Sequence, residues 1–344
     1  MGTTRGPRRS TALALVVAIG VAAVGGFLIS RPQGHGDETV PVSSPGPNVD
    51  APFSTDGYSV ANDPDRHQLV VFGGDLSLNQ TWLWGTHWTL ARPTISPSGR
   101  ENAAIAYDPD LHMVLLFGGI RPAQTYLGDT WGWNGTTWRE LNVGGFNGPP
   151  PGQASMAWDT ALDEMVLMPA SSSGADTWTW AGTHWIDHRQ PDPYLPTGVL
   201  TLAFDPETNA MVAVGFGNVI SPKVGAVTQT WTWDGTVWTQ LVTAHTPTAY
   251  VLLGLGWDPI SARLLLFAEG AVTPVPLLRW AWTGADWTAL PPVSSPRLSQ
   301  GLLTSFGAGN LLLVGELSGT SGEATPIRVW AWTGNAWAFR SARD

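Results

Sequence analysis

The sequence predicts an all-β fold, a six-bladed β-propeller preceded by a transmembrane helix or signal segment. Three observations carry that reading. A unit of 47–53 residues recurs six times. Each unit parses as four short strands. Eighteen of the 20 tryptophans fall at matching places, three in every unit. Composition agrees: with 43% hydrophobic and 13% charged residues in 344, the chain has ample material for a core and is too apolar for disorder. Forty glycines and 28 prolines argue for many turns and against long helices.

Residues 1–10 form a basic tail with Arg5, Arg8 and Arg9, and residues 11–30 contain no charge. Twenty residues of helix match the hydrocarbon core, about 30 Å. With three arginines before the span and Arg31 after it, the positive-inside rule leaves the N-terminus in the cytoplasm and the rest outside. The expectation is a single-pass cell-membrane protein anchored through residues 11–30, or a secreted one if the segment is a cleaved signal peptide. Residues 31–53, rich in Pro, Gly and Ser, read as a flexible tether. The propeller is expected over residues 54–341.

The repeat is clearest at residues 105–119, IAYDPDLHMVLLFGG, followed by DTWGWNGTTWREL at 129–141. The leading tryptophans of its W-x-W pairs are Trp82, Trp131, Trp178, Trp231, Trp280 and Trp330, spaced 49, 47, 53, 49 and 50 apart. The first strand ends at an aspartate: Asp63, Asp108, Asp159, Asp205 or Asp258. A turn follows, then an apolar strand ending in Phe-Gly-Gly or a relative. T-W-x-W makes the third strand, and a lone tryptophan opens the fourth. Between these last two, Asn134-Gly135 and Asp234-Gly235 predict tight type I′ hairpins. In the sixth unit Gly307 aligns with the aspartates, before a turn two residues shorter. Four antiparallel strands per unit, repeated, describe a propeller blade. Residues i and i+2 of a strand share a face, so the in-register tryptophans are expected to fill the space between blades.

The hydrophobic run ending in Gly73-Gly74 or Gly118-Gly119, then the aromatic pair and the lone tryptophan, resembles the kelch repeat, found also in galactose-oxidase-type propellers. The resemblance spans roughly residues 57–340 and implies a fold without assigning a function. Copper-radical chemistry of the galactose-oxidase type needs a cysteine, and the chain has none. Disulfides and Cys-ligated metals are excluded with it. No zinc-type histidine spacing, nucleophile elbow, P-loop or dinucleotide fingerprint occurs. The reading assigns no catalytic residue, no metal ligand and no cofactor. Without the four arginines of residues 1–31, 13 basic and 27 acidic residues remain, net −14. That charge opposes nucleic-acid binding.

Loop lengths point to one face. The first-to-second and third-to-fourth turns are short and uniform. The second-to-third and blade-to-blade loops are long and unlike one another, and variable loops on a rigid scaffold carry binding. The candidate ligand-binding residues there are Arg100, Glu101, Asn102, Arg121, Tyr126, Gln153, Asp192, Tyr194, His245, Tyr250 and Arg297. The expected function is an extracytoplasmic, membrane-tethered module binding a protein or glycan at the cell surface through this loop face. The alternative is an extracytoplasmic carbohydrate-active enzyme that does not use copper-radical chemistry.

Overall fold

The computed structural model describes residues 51–52, 57–74, 79–142, 144, 147–170, 176–188, 200–221, 225–270, 277–293, 296, 298–307, 309–317 and 326–340. Each sequence unit folds into a blade of four antiparallel strands, giving six blades. Every blade is one continuous stretch of chain, its strands side by side in sequence order from the inner to the outer edge. The inner strands are Tyr58–Asp63, Ala104–Asp108, Ala154–Asp159, Leu200–Asp205, Val251–Asp258 and Leu298–Phe306. They touch in turn around a ring, and the last meets the first. Among the described residues no helix is long and apolar enough to cross a membrane; the candidate span 11–30 and the tether lie outside them.

The core consists of six layers, one between each pair of neighbouring blades. On the inner strands, alternation puts a large side chain against the preceding blade and a small one against the following blade. Tyr107 thus shares a layer with Ala61, Trp158 with Ala106, Phe204 with Ala157, and Trp257 with Ala203. Large against small lets the crowded centre of the ring close without strain. Where blade 6 meets blade 1 the order is reversed. Asn62 stands in the aromatic position, and Phe306 supplies the ring from the other side, 5.4 Å from Trp84 in an edge-on contact. The same joint is fastened by Tyr58 Oη–H donating to the Val314 carbonyl at 3.0 Å and Ile327 N–H donating to the Pro52 carbonyl at 2.9 Å.

The tryptophans are packing groups, as their register predicts. Trp133, Trp138, Trp231, Trp233, Trp282 and Trp287 are each at most 1–2% exposed. The fourth-strand tryptophans also stitch blade to blade. The indole N–H of Trp138, Trp185, Trp238 and Trp287 donates to Oγ1 of Thr81, Thr130, Thr177 and Thr230 in the preceding blade, each at 2.8 Å. This explains the threonine of T-W-x-W. In blade 5 Arg279 replaces it, stacking over Trp332 at 4.9 Å, and the Trp337 N–H is left buried without an acceptor. Thr177→Val keeps the volume but removes one such acceptor. It should destabilise the protein by about 1–3 kcal/mol, read as a lower urea midpoint with an unchanged slope.

Two turn expectations are corrected. The third-to-fourth hairpins are not two-residue type I′ turns. Trp133 pairs with Trp138, so the loop has four residues, and only its glycine takes positive φ. Asn134 Oδ1 accepts the N–H groups of Thr136 and Thr137, at 2.9 Å each, and Asp234 does the same for Thr236 and Val237 at 2.8 Å. Asn and Asp are there as side-chain caps. Gly135 takes φ +95°, which favours glycine, and a Cβ there would also displace the Arg66 side chain of the preceding blade. In the sixth unit the strand register puts Phe306, not Gly307, at the aspartate's position, with a turn one residue shorter than its neighbours'. All five aspartates are buried and four cap the turn backbone. Asp108 Oδ1, for example, accepts from Asp110 and Leu111 N–H at 2.9 Å each, whereas Asp63 accepts from the Arg66 and Gln68 side chains.

Candidate binding surfaces

The long loops converge where blades 1 and 2 meet, and here the residues singled out from sequence take unlike roles. Arg100 is 1% exposed, a correction to its expected place on the surface. Its Nη1 and Nη2 grip the Asp129 carboxylate at 2.7 and 2.8 Å. The remaining N–H groups reach the Gly118 carbonyl at 2.8 Å and the Ser98 carbonyl and hydroxyl at 3.1 and 3.2 Å. All five guanidinium donors are thereby occupied. Burial alone would raise the Asp129 carboxyl, but the Arg100 hydrogen bonds and charge hold it below the ordinary value, helped by the Trp131 indole.

Glu101 and Asn102 continue this clamp. Glu101 forms an antiparallel bridge with Ile120, exchanging N–H···O bonds of 2.9 Å, and Asn102, at φ +58°, donates its N–H to the Gly57 carbonyl at 2.6 Å. The incoming backbone passes so close to the preceding sheet that a Cβ on Gly73 would lie 2.2 Å from the Arg100 carbonyl oxygen, and one on Gly118 2.3 Å from that of Gly152. These contacts account for the first glycine of each double-glycine pair.

The clamp presents a short hairpin, Ile120–Arg121 paired with Thr125–Tyr126, that is not part of any blade. Arg121 and the turn Pro122–Gln124 are exposed, and Tyr126 is 56% exposed. At its tip Ala123 and Gln124 hold φ of +62° and +56°. Two successive non-glycine residues in the left-handed region cost about 1–3 kcal/mol each, and such strain collects at functional sites.

The other predicted residues scatter. Gln153 is buried rather than solvated, with its amide oxygen unpaired and its carbonyl accepting from Ala170 N–H at 2.8 Å. His245 straps the blade 4–5 linker to the next blade: its N–H donates to Asp286 Oδ1 at 2.9 Å, and Nδ1 lies 2.8 Å from Oδ2. The His245 side-chain hydrogen bond, with its backbone N–H, brings Asp286 down to about 2. Ile95 makes the matching strap to Thr137 and Trp138 in the first linker. The sequence signal is a Ser/Thr-Pro after each strap residue, Ser96-Pro97 and Thr246-Pro247. Tyr250, at the end of the same blade 4–5 linker as His245, is 38% exposed. Asp192, Tyr194 and Arg297 lie outside the described residues.

A second surface was not singled out from sequence. A central cavity of about 430 Å³ runs between the inner strands and is lined by all six. Toward the short-turn face its wall is formed by the residues before the capping aspartates: Asn62, Tyr107, Trp158, Phe204 and Trp257, with Ser305 at the equivalent register. No charged side chain lines the cavity among the described residues. The hydroxyls farther in hold the ring together: Ser59 Oγ donates to the Ala103 carbonyl at 2.7 Å, and Thr201 Oγ1 accepts from Leu255 N–H at 2.9 Å. Beside the rim, Asp65 bonds His112 Nδ1 at 2.8 Å. The Tyr107 phenol and then His112 hold Asp65 below the usual carboxylate range, while burial, then Asp65, pushes Tyr107 upward. No group of three or more His, Asp or Glu side chains gathers at metal-binding distance among the described residues.

This architecture defines a six-bladed β-propeller. No protein-family model and no curated protein matches the chain. Solved structures do. A mutant of the Aleuria aurantia lectin in complex with Fucα1-6GlcNAc is 12% identical, with a TM-score of 0.58 over 84% of this chain and 97% of that one. The SapL1 lectin in complex with α-methyl fucoside is 14% identical, with a TM-score of 0.57 over 84% and 96%. YjhT is 12% identical, with a TM-score of 0.54 over 85% and 99%. At such identities the likeness is one of fold.

Proposed function

We propose that the protein is a glycan-binding module of the cell surface, a kelch-like propeller held outside the membrane by residues 11–30. The observation that carries this reading is the hairpin at residues 120–126. A rigid ion-paired clamp holds it out from the loop face, its tip is strained, and it exposes an arginine and a tyrosine. Arg and Tyr are the side chains that most often anchor recognition surfaces, and an exposed ring offers a stacking face to a sugar. Several similar propellers are described as lectins in complex with fucose-containing ligands, which supports a glycan as the ligand over a protein.

Arg121→Ala and Tyr126→Ala should each weaken capture of a fucosylated glycan at least tenfold, while stability stays within about 0.5 kcal/mol of the parent. Titration calorimetry and thermal melting of the same samples check both halves. Unchanged affinity in both variants would remove the hairpin from the site. For the anchor, cells expressing the full chain should keep it in the membrane fraction through a high-salt wash and bind the glycan while intact; recovery in the cytosol would contradict it.

A further inference from the structure

We propose a second ligand site, the short-turn mouth of the central cavity, and assign it a single neutral sugar residue. The proposal rests on the glycan reading above but concerns the opposite end of the ring. Four consecutive blades place an aromatic side chain at this mouth: Tyr107, Trp158, Phe204 and Trp257. Each packs against the preceding blade and lines the cavity with what remains. Packing alone accounts for a large side chain at these positions. At blades 6 and 1 the pattern breaks: Phe306 takes over the packing from the other side, and Ser305 and Asn62 leave the rim of the cavity small and polar there. The result is an aromatic arc facing a polar notch, beside which Tyr107 and the Asp65–His112 pair add hydrogen-bonding groups.

This arrangement selects by chemistry. With no charged lining among the described residues, an ionised ligand would lose its hydration without compensation. A purely apolar ligand would leave the notch unused. A pyranose suits both parts: its C–H face lies on the arc, and its hydroxyls meet the notch and the Tyr107 oxygen, whose own proton is held by the Asp65 carboxylate outside the cavity wall. At about 430 Å³ the cavity is within the size range of small-ligand sites.

The test uses the propeller, residues 50–344, titrated with methyl glycosides of neutral hexoses and 6-deoxyhexoses and followed by tryptophan fluorescence. Trp158 and Trp257 should report the ligand directly. Tyr107→Phe keeps the packing ring and removes only the phenolic oxygen; Asp65→Asn, near the surface, keeps shape and removes the charge. Each should weaken one saturable phase at least tenfold with an unchanged melting temperature, and Arg121→Ala should leave that phase intact. Loss of all monosaccharide binding in Arg121→Ala, with none in Tyr107→Phe or Asp65→Asn, would overturn the second site and leave the loop-face reading standing. An apolar ring such as indole displacing the sugar and binding Tyr107→Phe as well as the parent would also overturn it. If no neutral glycoside or larger glycan binds at all, both readings fall together.

Discussion

Truncating Trp133 to Ala should lower stability by about 3–5 kcal/mol, as large core truncations do. Its side chain is fully buried in the layer between blades 1 and 2, with Val70, Phe72, Val114 and Leu116. Its ring lies 5.5 Å from Trp138, which meets Phe72 edge-on at 5.3 Å. Removing it opens a void that rigid sheets on both sides cannot collapse to fill, and it strips a contact from the tryptophan that bonds Thr81 across the blade boundary. Urea unfolding followed by circular dichroism checks the magnitude. A Trp133→Ala protein that unfolds at the parental midpoint yet loses its glycan would instead mark the tryptophan as a stacking platform.

The second large effect is at Arg100. Its replacement by Ala should cost about 3–5 kcal/mol, because it strands the Asp129 carboxylate in a site where both partners are largely buried. Proton linkage gives this loss a signature. The folded protein holds Asp129 below its ordinary value near 3.8, so the stabilisation is complete above that pH and disappears as pH falls through the lowered folded value. Without Arg100, burial raises the stranded carboxyl. The gap between parent and Arg100→Ala should therefore narrow as pH falls from neutrality into the acid range, as the variant takes up a proton that the parent does not. A gap that widened in acid would mean that the ion pair is not its source. The contrast with Arg121→Ala, expected to be nearly neutral for stability, separates the two arginines that loop length alone had grouped together.

Much of the fold was legible because a propeller writes its geometry periodically. Strand count, blade count and the packing role of the tryptophans follow from one repeated phrase, and the aspartate that ends the first strand recurs five times. What failed was local. Asn134-Gly135 looks like a two-residue hairpin, since the sequence does not show that Trp133 and Trp138 are the closing pair. Phe306 looks like the residue before the aspartate's position until the register shows it in that position itself, filling the space that Asn62 leaves open.

The candidate site was legible in position but not in role. Arg100, Glu101 and Asn102 do lie beside the exposed hairpin, yet Arg100 is buried against Asp129, and Glu101 and Asn102 are tied through their backbones to Ile120 and Gly57, all distant in sequence. Nothing in the residues around Arg100 distinguishes a buried arginine from a solvated one. Its partner, Asp129, was visible only as the residue before T-W-x-W. The aromatic mouth was visible as the residue before four of the five aspartates, but alternation on a strand reads such residues as core and cannot show that part of each borders a cavity.

The most direct test of the glycan reading is an array of immobilised glycans probed with labelled propeller, residues 50–344, confirmed to be folded by cooperative melting. The account predicts saturable retention on a subset of neutral glycans, fucosylated ones among them, competed by the same glycans in solution. A folded protein retained by none of them would contradict it.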